Sequence, residues 1–333
     1  MKIVLSRKGF DSSAGGHASP ILPNGTMISL PIPSPLDALA YSDIAIDGDS
    51  GRLHRTYADL IRELDAGARL RGGAHLDPDL CAPARPRPRG WRPTFGQIGA
   101  AGGHLRNERI GAGDLFLFFG WFRRTENVDA RLRFARGEAG FHAVFGYLEV
   151  GVAIDATGRA PLPSWLRDHP HAQPRRRVSP NNTIYVSSDT LSIDRALPGA
   201  AAFRFDESLV LTKSGEARSR WRLDRDVFAD VRISHHGPDA WRDGAFHSCK
   251  RGQEFVIDAN ARVIDWAARV IRAGATTAAP AERDARSAGA DAYAAPTRLA
   301  QCPPRLESTN TRSEADPARP AGSVRCRRKT QSA

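Results

Sequence analysis

Histidine and aspartate alternate in His75-Leu76-Asp77-Pro78-Asp79. Successive side chains of an extended segment point to opposite faces, so His75, Asp77 and Asp79 would share one side. An imidazole and two carboxylates on one face could ligate a divalent metal or act as an acid/base pair. The same letters also spell an Asp-Pro-Asp turn beside an exposed histidine, and both readings stand at this point. His169-Pro170-His171 sets two imidazoles one residue apart. On an extended segment that spacing can present both rings to one metal. The pair could equally close a loop beside a solvated patch, Arg175-Arg176-Arg177. Ser234-His235-His236-Gly237 is a further histidine-rich loop. A His/carboxylate centre would require His75, His169, His171 and His235 to meet. No cofactor follows from the letters alone; a divalent metal is the one these residue types would hold.

A second set of residues suits an anion. The chain opens MKIVLSRKGFDSSAGG, a short apolar run followed by a loop of donors and small residues. Glycines let a backbone approach a ligand closely, and exposed N–H groups can cradle an anion. Arg7, Lys8, Asp11, Gly15 and Gly16 are therefore candidates for phosphate or base binding; a strand followed by a surface loop is the plainer reading. In Gly120-Trp121-Phe122-Arg123-Arg124, Trp121 could stack on a base and Arg123 could meet phosphate, while Phe122 suits a core. Arg251-Gly252-Gln253-Glu254 runs into an apolar strand. Arg251 and Glu254 could complete a catalytic pocket or form a buried ion pair, and either role would place that strand centrally.

These groups need elements to hold them. Pro23-Asn24-Gly25 reads as a hairpin turn before Met27 to Ile32. Residues 34–74 read as strand, turn and helix: an apolar run Leu36 to Ile46, a turn at Asp47-Gly48-Asp49, then a helix from Tyr57 to Leu70 capped by Thr56. Cys81 to Pro93 is an Arg/Pro loop whose arginines could meet phosphate, with Trp91 and Phe95 anchoring its far end. Gln97 to Ile110 is Gly-rich but carries neither G-x-G-x-x-G nor a P-loop, so it reads as a polar loop. Leu115 to Phe119 is the clearest buried strand, and Phe141 to Ile154 is a second. Asn182 to Val186, Leu191 to Ile193 and Phe203 to Thr212 follow as strands. A helix at Ala259 to Arg272, with Val263, Ile264, Trp266, Ala267, Val270 and Ile271 as its stripe, closes the folded part. The expected fold is α+β: a bent, mostly antiparallel sheet with a few peripheral helices. Its two central strands look like the core of the PUA, ASCH and EVE β-barrels, which bind RNA or modified bases between strands. One domain is expected over 1–272, followed by a disordered Ala/Arg/Pro-rich tail over 273–333.

Several motifs recur in the order of a known family. They are the opening through Pro33, His75 to Leu80, Phe95-Gly96-Gln97, Gly113 to Arg123, Gly146 to Gly151, His169-Pro170-His171, Asn182 to Tyr185, Leu211-Thr212, Trp221 and Arg251 to Val256. Over residues 1–272 the chain resembles the third type of nucleotide-modification-associated domain. That family is named for its association with DNA base-modification systems in bacteria and phages. The resemblance implies nucleotide or nucleic-acid chemistry, and other components of such a system as partners. It does not imply a particular reaction.

Composition agrees with a polyanionic partner. Of 333 residues, 48 are Lys or Arg and 37 Asp or Glu, a formal charge of +11. No apolar run approaches the ~20 residues of a membrane span. Four scattered cysteines form no C-x-x-C pair, which speaks against a zinc cluster or disulfide framework and fits a reducing cytoplasm. Three functions are consistent with these residues: an enzyme acting on a nucleobase or nucleotide, a PUA-like reader that binds a modified base without chemistry, and a structural partner protein.

Overall fold

The computed structural model describes residues 1–46, 55–68, 70–249 and 254–276. The chain begins with β1 (Ile3–Arg7), β2 (Ser19–Ile21) and β3 (Ile32–Ser34). Helix α1 (Tyr57–Leu64) follows, then β4 (Gly73–His75), β5 (Thr94–Gln97) and α2 (Gly99–Asn107). The long strands β6 (Leu115–Val128) and β8 (Phe141–Asp155) flank the short β7 (Arg131–Phe134). After α3 (Pro174–Arg177) come β9 (Thr183–Ser187), β10 (Thr190–Leu191), β11 (Asp194–Pro198) and β12 (Ala200–Ala202). The last elements are β13 (Arg220–Trp221), α4 (Arg225–Phe228), β14 (Trp241–Arg242), β15 (Ala245–His247), β16 (Glu254–Ile257) and α5 (Ala261–Thr276).

The two long strands organise the sheet by changing partners along their length. They pair antiparallel from Leu115↔Glu149 to Phe122↔Phe141, with a register shift at Phe118/Phe119 that adds local twist. The first part of β6 also takes β1 in parallel, and β1 takes β16 antiparallel. Its later part takes β2 in parallel and β7 antiparallel. Strand β8 pairs with β12 at its middle and with β9 at its end, and β9 pairs with β5. Nine strands result, in the order β16-β1-β6-β8-β9-β5 with β2, β7 and β12 attached. The α+β class and the mostly antiparallel sheet are as expected. No closed barrel is found among the described residues, since β16 and β5 stand at the two ends of the order.

Burial explains the long strands. Leu115 to Phe119 are fully buried, as are Tyr147 and Leu148, and helix α5 lays Val263, Ala267, Val270 and Ile271 on this core. A second core, around Phe10, Leu30, Leu60, Ile61, Ala74 and Leu76, fixes the N-terminal loop and β4 against α1. A small third core of Ala156, Leu166, Ile184 and Val186 sits under the segment carrying His169 and His171.

Several expectations are corrected. Helix α1 stops at Leu64 because the Asp65 carboxylate accepts Gly67 N–H at 2.9 Å and turns the chain; its Thr56 cap is present. The Gly-rich stretch is the helix α2. Its glycines serve close packing: a Cβ on Gly102 would lie 2.3 Å from the Asn181 carbonyl oxygen. Phe203 to Thr212 does not form a strand, because Asp206 caps a 3-10 turn at Glu207–Leu209. Leu36 to Ile46 holds a 3-10 turn at Tyr41–Asp43. Strand β16 is buried but terminal; the segment at Arg232 to Ser234 covers its outer edge with Ser234 N–H donating to the Val256 carbonyl. Helix α5 continues to Thr276, past the expected end at Arg272. The Asp47-Gly48-Asp49 turn, Arg251 and the rest of the expected tail lie outside the described residues. Among the described residues no helix is long and apolar enough to cross a membrane.

Candidate metal centre

Three separate segments meet at Asp77. Strand β4 pairs with β3, with Ile32 opposite His75, and delivers His75 beside Asp77 two residues on. Strand β5 passes behind, and Gly96 N–H donates to Asp77 Oδ1 at 2.9 Å. The turn after Leu166 brings His169 and His171 over the same strand. Gly96 is what makes room: a Cβ there would sit 2.4 Å from His171 Cδ2 and 3.0 Å from His169 Cε1.

One nitrogen of His75, one carboxylate oxygen of Asp77 and one nitrogen of His171 all lie within 4.8 Å of one another. His171 Nε2 is 3.2 Å from Asp77 Oδ2, and His75 Nε2 is 3.8 Å from it. Donors at such separations can share one ion with bonds of about 2.0–2.2 Å.

The partners of the other ring nitrogens decide what each histidine offers. His75 Nδ1 is 3.0 Å from Asp37 Oδ2. A carboxylate can only accept, so Nδ1 carries the hydrogen and the neutral ring keeps its lone pair on Nε2. His171 Nδ1 is 2.9 Å from Asn182 Oδ1. The Asn182 amide nitrogen donates to the carbonyls of His171 (2.9 Å), Ala156 and Arg176, so its oxygen must face the imidazole. Nε2 is thus the atom each ring turns towards Asp77; it can give its lone pair to a shared ion or, where His171 carries both ring hydrogens, donate to the carboxylate at 3.2 Å. A ligand histidine that donates its second N–H to a carboxylate or carbonyl is the usual outer support of a metal site. Asp37 is itself held by Arg176, which also donates to Ser34 Oγ at 2.9 Å.

His169 differs. Its Nδ1 accepts the His171 backbone N–H at 3.1 Å, so the neutral ring carries its hydrogen on Nε2. That nitrogen is buried, lacks a hydrogen-bond partner among the described residues, and lies 4.0 Å from Asp77 Oδ1. His169 stands at the other edge of the carboxylate, beside the three-donor group of His75, Asp77 and His171. Burial drives its basicity down to about 3. Burial by itself would push the Asp77 carboxyl up. The hydrogen bond to His171 and the nearby imidazoles of His171, His169 and His75 outweigh that and hold it at about 2. The carboxylate is thus held in its ionised form at neutral pH.

The centre opens into a cavity of about 600 Å³, whose wall includes His75, Asp77, Gly96, Gln97, His171 and Arg176 together with Arg7 to Ala14, Trp121, His142 and Arg218. Lys8 reaches Glu254 at 2.7 Å, and Gln97 donates to the same Glu254 oxygen at 2.6 Å. The N-terminal loop, the histidine pairs and Glu254 thus share one region. Asp11 accepts from Ser13 and Ala14 N–H, which rigidifies the loop. Gly15 presses on the Phe10 ring, where a Cβ would sit 2.2 Å away; neither it nor Gly16 is on the cavity wall.

Other expected members fall elsewhere. Asp79 is not beside Asp77. Its backbone bridges Thr94, and its carboxylate takes the Arg87 guanidinium at 2.5 and 2.7 Å, with Arg87 lying on Trp91. Arg123 lies over Phe134 and donates to the Ala135 carbonyl. Trp121 is on the wall, but Arg218 lies over its ring at 3.8 Å. The His235 ring faces His104, at a centroid distance of 4.4 Å, instead of joining the other histidines. The sequence alone assigns none of these roles to Asp37, Gly96, Arg176, Asn182 or Arg218. Gly96 and Asn182 lie in family-like motifs and carried at least that signal; Arg218 carried none.

The family model described as nucleotide modification associated domain 3 matches residues 2–258. No curated protein and no solved structure matches the chain.

Proposed function

The chain belongs to the nucleotide modification associated domain 3 family, and from that premise we propose that it is a metal-dependent enzyme acting on a nucleotide or nucleobase within a DNA-modification system. One observation carries the reading: two histidines, each pinned through Nδ1 to an acceptor, aim Nε2 at an ionised aspartate at the head of a cavity. Two histidines and one carboxylate leave coordination positions open, as catalytic zinc and non-haem iron sites do. A bound divalent ion would polarise a substrate oxygen or activate water. Asp77 and the two imidazoles would hold it. Arg176 and Asp37 would keep His75 from rotating. His169 would steady the second edge of Asp77. Lys8, Gln97 and Glu254 would form a rigid polar wall beside it.

A cavity of this size suits one nucleotide, free or turned out of a strand. The test is mass spectrometry of deoxynucleotides and short oligonucleotides incubated with protein loaded with Zn²⁺, Mn²⁺ or Fe²⁺. A metal-dependent mass change, lost in Asp77→Asn with the melting temperature nearly unchanged, supports the reading. Nucleotide binding without turnover under every metal would instead favour a reader.

A further inference from the structure

We propose that Arg218, held by Trp121, is the phosphate anchor of this cavity, so that the substrate is a phosphate-bearing nucleotide and not a free nucleobase or nucleoside. The proposal deepens the functional reading above and rests on it for the part of the substrate that faces Asp77.

Arg218 comes from the loop before β13, where its own backbone is tied down. Its carbonyl accepts Thr212 Oγ1–H at 3.0 Å and Trp221 Nε1–H at 3.1 Å. Its guanidinium lies over the Trp121 ring at 3.8 Å. Trp121 is held in turn: its Nε1–H donates to the Ala139 carbonyl at 3.2 Å, and its indole packs against Gly140, where an added Cβ would fall 2.4 Å from Nε1. A guanidinium held over an indole is restricted before a ligand arrives, so it loses little freedom when it binds. That planar fork matches a phosphate.

The surroundings leave this charge available. Two other cavity-lining cations have protein acceptors: Lys8 takes Glu254, and Arg176 takes Asp37 and Ser34. The structure gives the Arg218 guanidinium no carboxylate partner within ion-pair distance among the described residues. Arg7 and Arg218 both bear on His142 and on each other, so two positive charges gather at this part of the wall. Asp11 is the nearby carboxylate, and its oxygen already accepts from Ser13 and Ala14. Partial burial disfavours the charged form of Arg218, and an arriving dianion would relieve that cost. With the phosphate here, the remainder of a nucleotide lies within the same cavity as His75, Asp77 and His171.

The experiment uses the full chain, stripped of metal with chelator, so that it does not depend on the metal centre. Isothermal titration compares each of the four deoxynucleoside 5′-monophosphates with its deoxynucleoside, alongside a single-stranded oligonucleotide. The expected result is that at least one monophosphate or the oligonucleotide binds about 10- to 100-fold more tightly than the nucleoside, the range for a charge-assisted hydrogen-bond pair. Arg218→Ala should erase that difference, and Arg218→Lys should restore only part of it. His171→Ala should keep it. Monophosphate binding assigns the phosphate to a free nucleotide. Oligonucleotide binding alone, with the same Arg218 dependence, assigns it to a strand. Both uphold the anchor. Equal affinity for nucleoside and nucleotide, or a phosphate preference that survives Arg218→Ala, overturns it. Trp121→Phe, which keeps an aromatic face, serves as a second variant: it should weaken phosphate binding less than Arg218→Ala does, and a loss as large as that of Arg218→Ala would show that the aromatic face is not what holds the anchor.

Discussion

Gly96→Ala adds one methyl group at the most crowded point of the proposed centre. Gly96 does not occupy the left-handed region, so alanine meets no backbone penalty and the effect is steric. The new Cβ would lie 2.4 Å from His171 Cδ2 and 2.5 Å from Cγ. Carbon atoms pack at about 3.5 Å or more, so the imidazole must retreat by about 1 Å. It cannot do so and keep both its 2.9 Å bond to Asn182 and its 3.2 Å approach to Asp77. Metal sites tolerate errors of about 0.2 Å in ligand position. Loss of a supporting contact alone costs about 10- to 100-fold in metal affinity, and displacement of a ligand should reach at least the upper end. Overpacking should cost about 1–3 kcal/mol of stability. Competition with a graded series of chelators measures the affinity, and urea unfolding measures the stability. Gly111→Ala is the control, since no atom lies within 4 Å of its added Cβ. A folded Gly96→Ala protein that binds metal within a factor of about two of the unaltered chain would refute the argument.

Three further outcomes follow from the same geometry. Asp37→Asn removes the carboxylate that fixes the His75 tautomer, and metal affinity by titration should fall about 10- to 100-fold with the fold retained; no change would remove Asp37 from the support. Glu254→Ala leaves the buried Lys8 ammonium without its 2.7 Å partner and should cost about 3–5 kcal/mol in urea unfolding; a loss below about 1 kcal/mol would show that the pair is not structural. His142 is pressed down to about 3 by burial and by Arg7 and Arg218. Its folded value lies below its unfolded one, so the unfolded chain takes up the proton first. Stability is full above about pH 6.5 and is lost as pH falls towards 3, at up to about 1.4 kcal/mol per pH unit. Denaturation curves of His142→Gln should be flatter over that range, and an identical slope would contradict the assignment.

Legibility from sequence tracked how local each cause was. Buried strands at β6 and β8, the α5 stripe and the Thr56 cap follow from neighbours along the chain. So do the chemical types at His75, Asp77, His169 and His171, and these four lie at one place in the fold. Strict alternation fails one step later: Asp79 is captured by the Arg87 fork and the Thr94 bridge, contacts that period two does not encode. Glycine content misled at α2, where the small residues let the helix approach Asn181. The proposed difference between His171, as a ligand, and His169, as a neighbour of the Asp77 edge, rests on which atom each Nδ1 meets, Asn182 in one case and a backbone N–H in the other. Arg218 owes its position to stacking on a residue 97 positions away (218 − 121) and has no signature in its own neighbourhood.

The most direct measurement is the metal content of the purified full chain after incubation with Zn²⁺, Mn²⁺ or Fe²⁺ and exhaustive dialysis. One equivalent of a divalent transition metal per chain is expected. The ion should be lost from His75→Ala, Asp77→Ala and His171→Ala and retained by His235→Ala and Arg218→Ala. A chain that takes up no metal, or that keeps it after Asp77 and His171 are both replaced, would contradict the account.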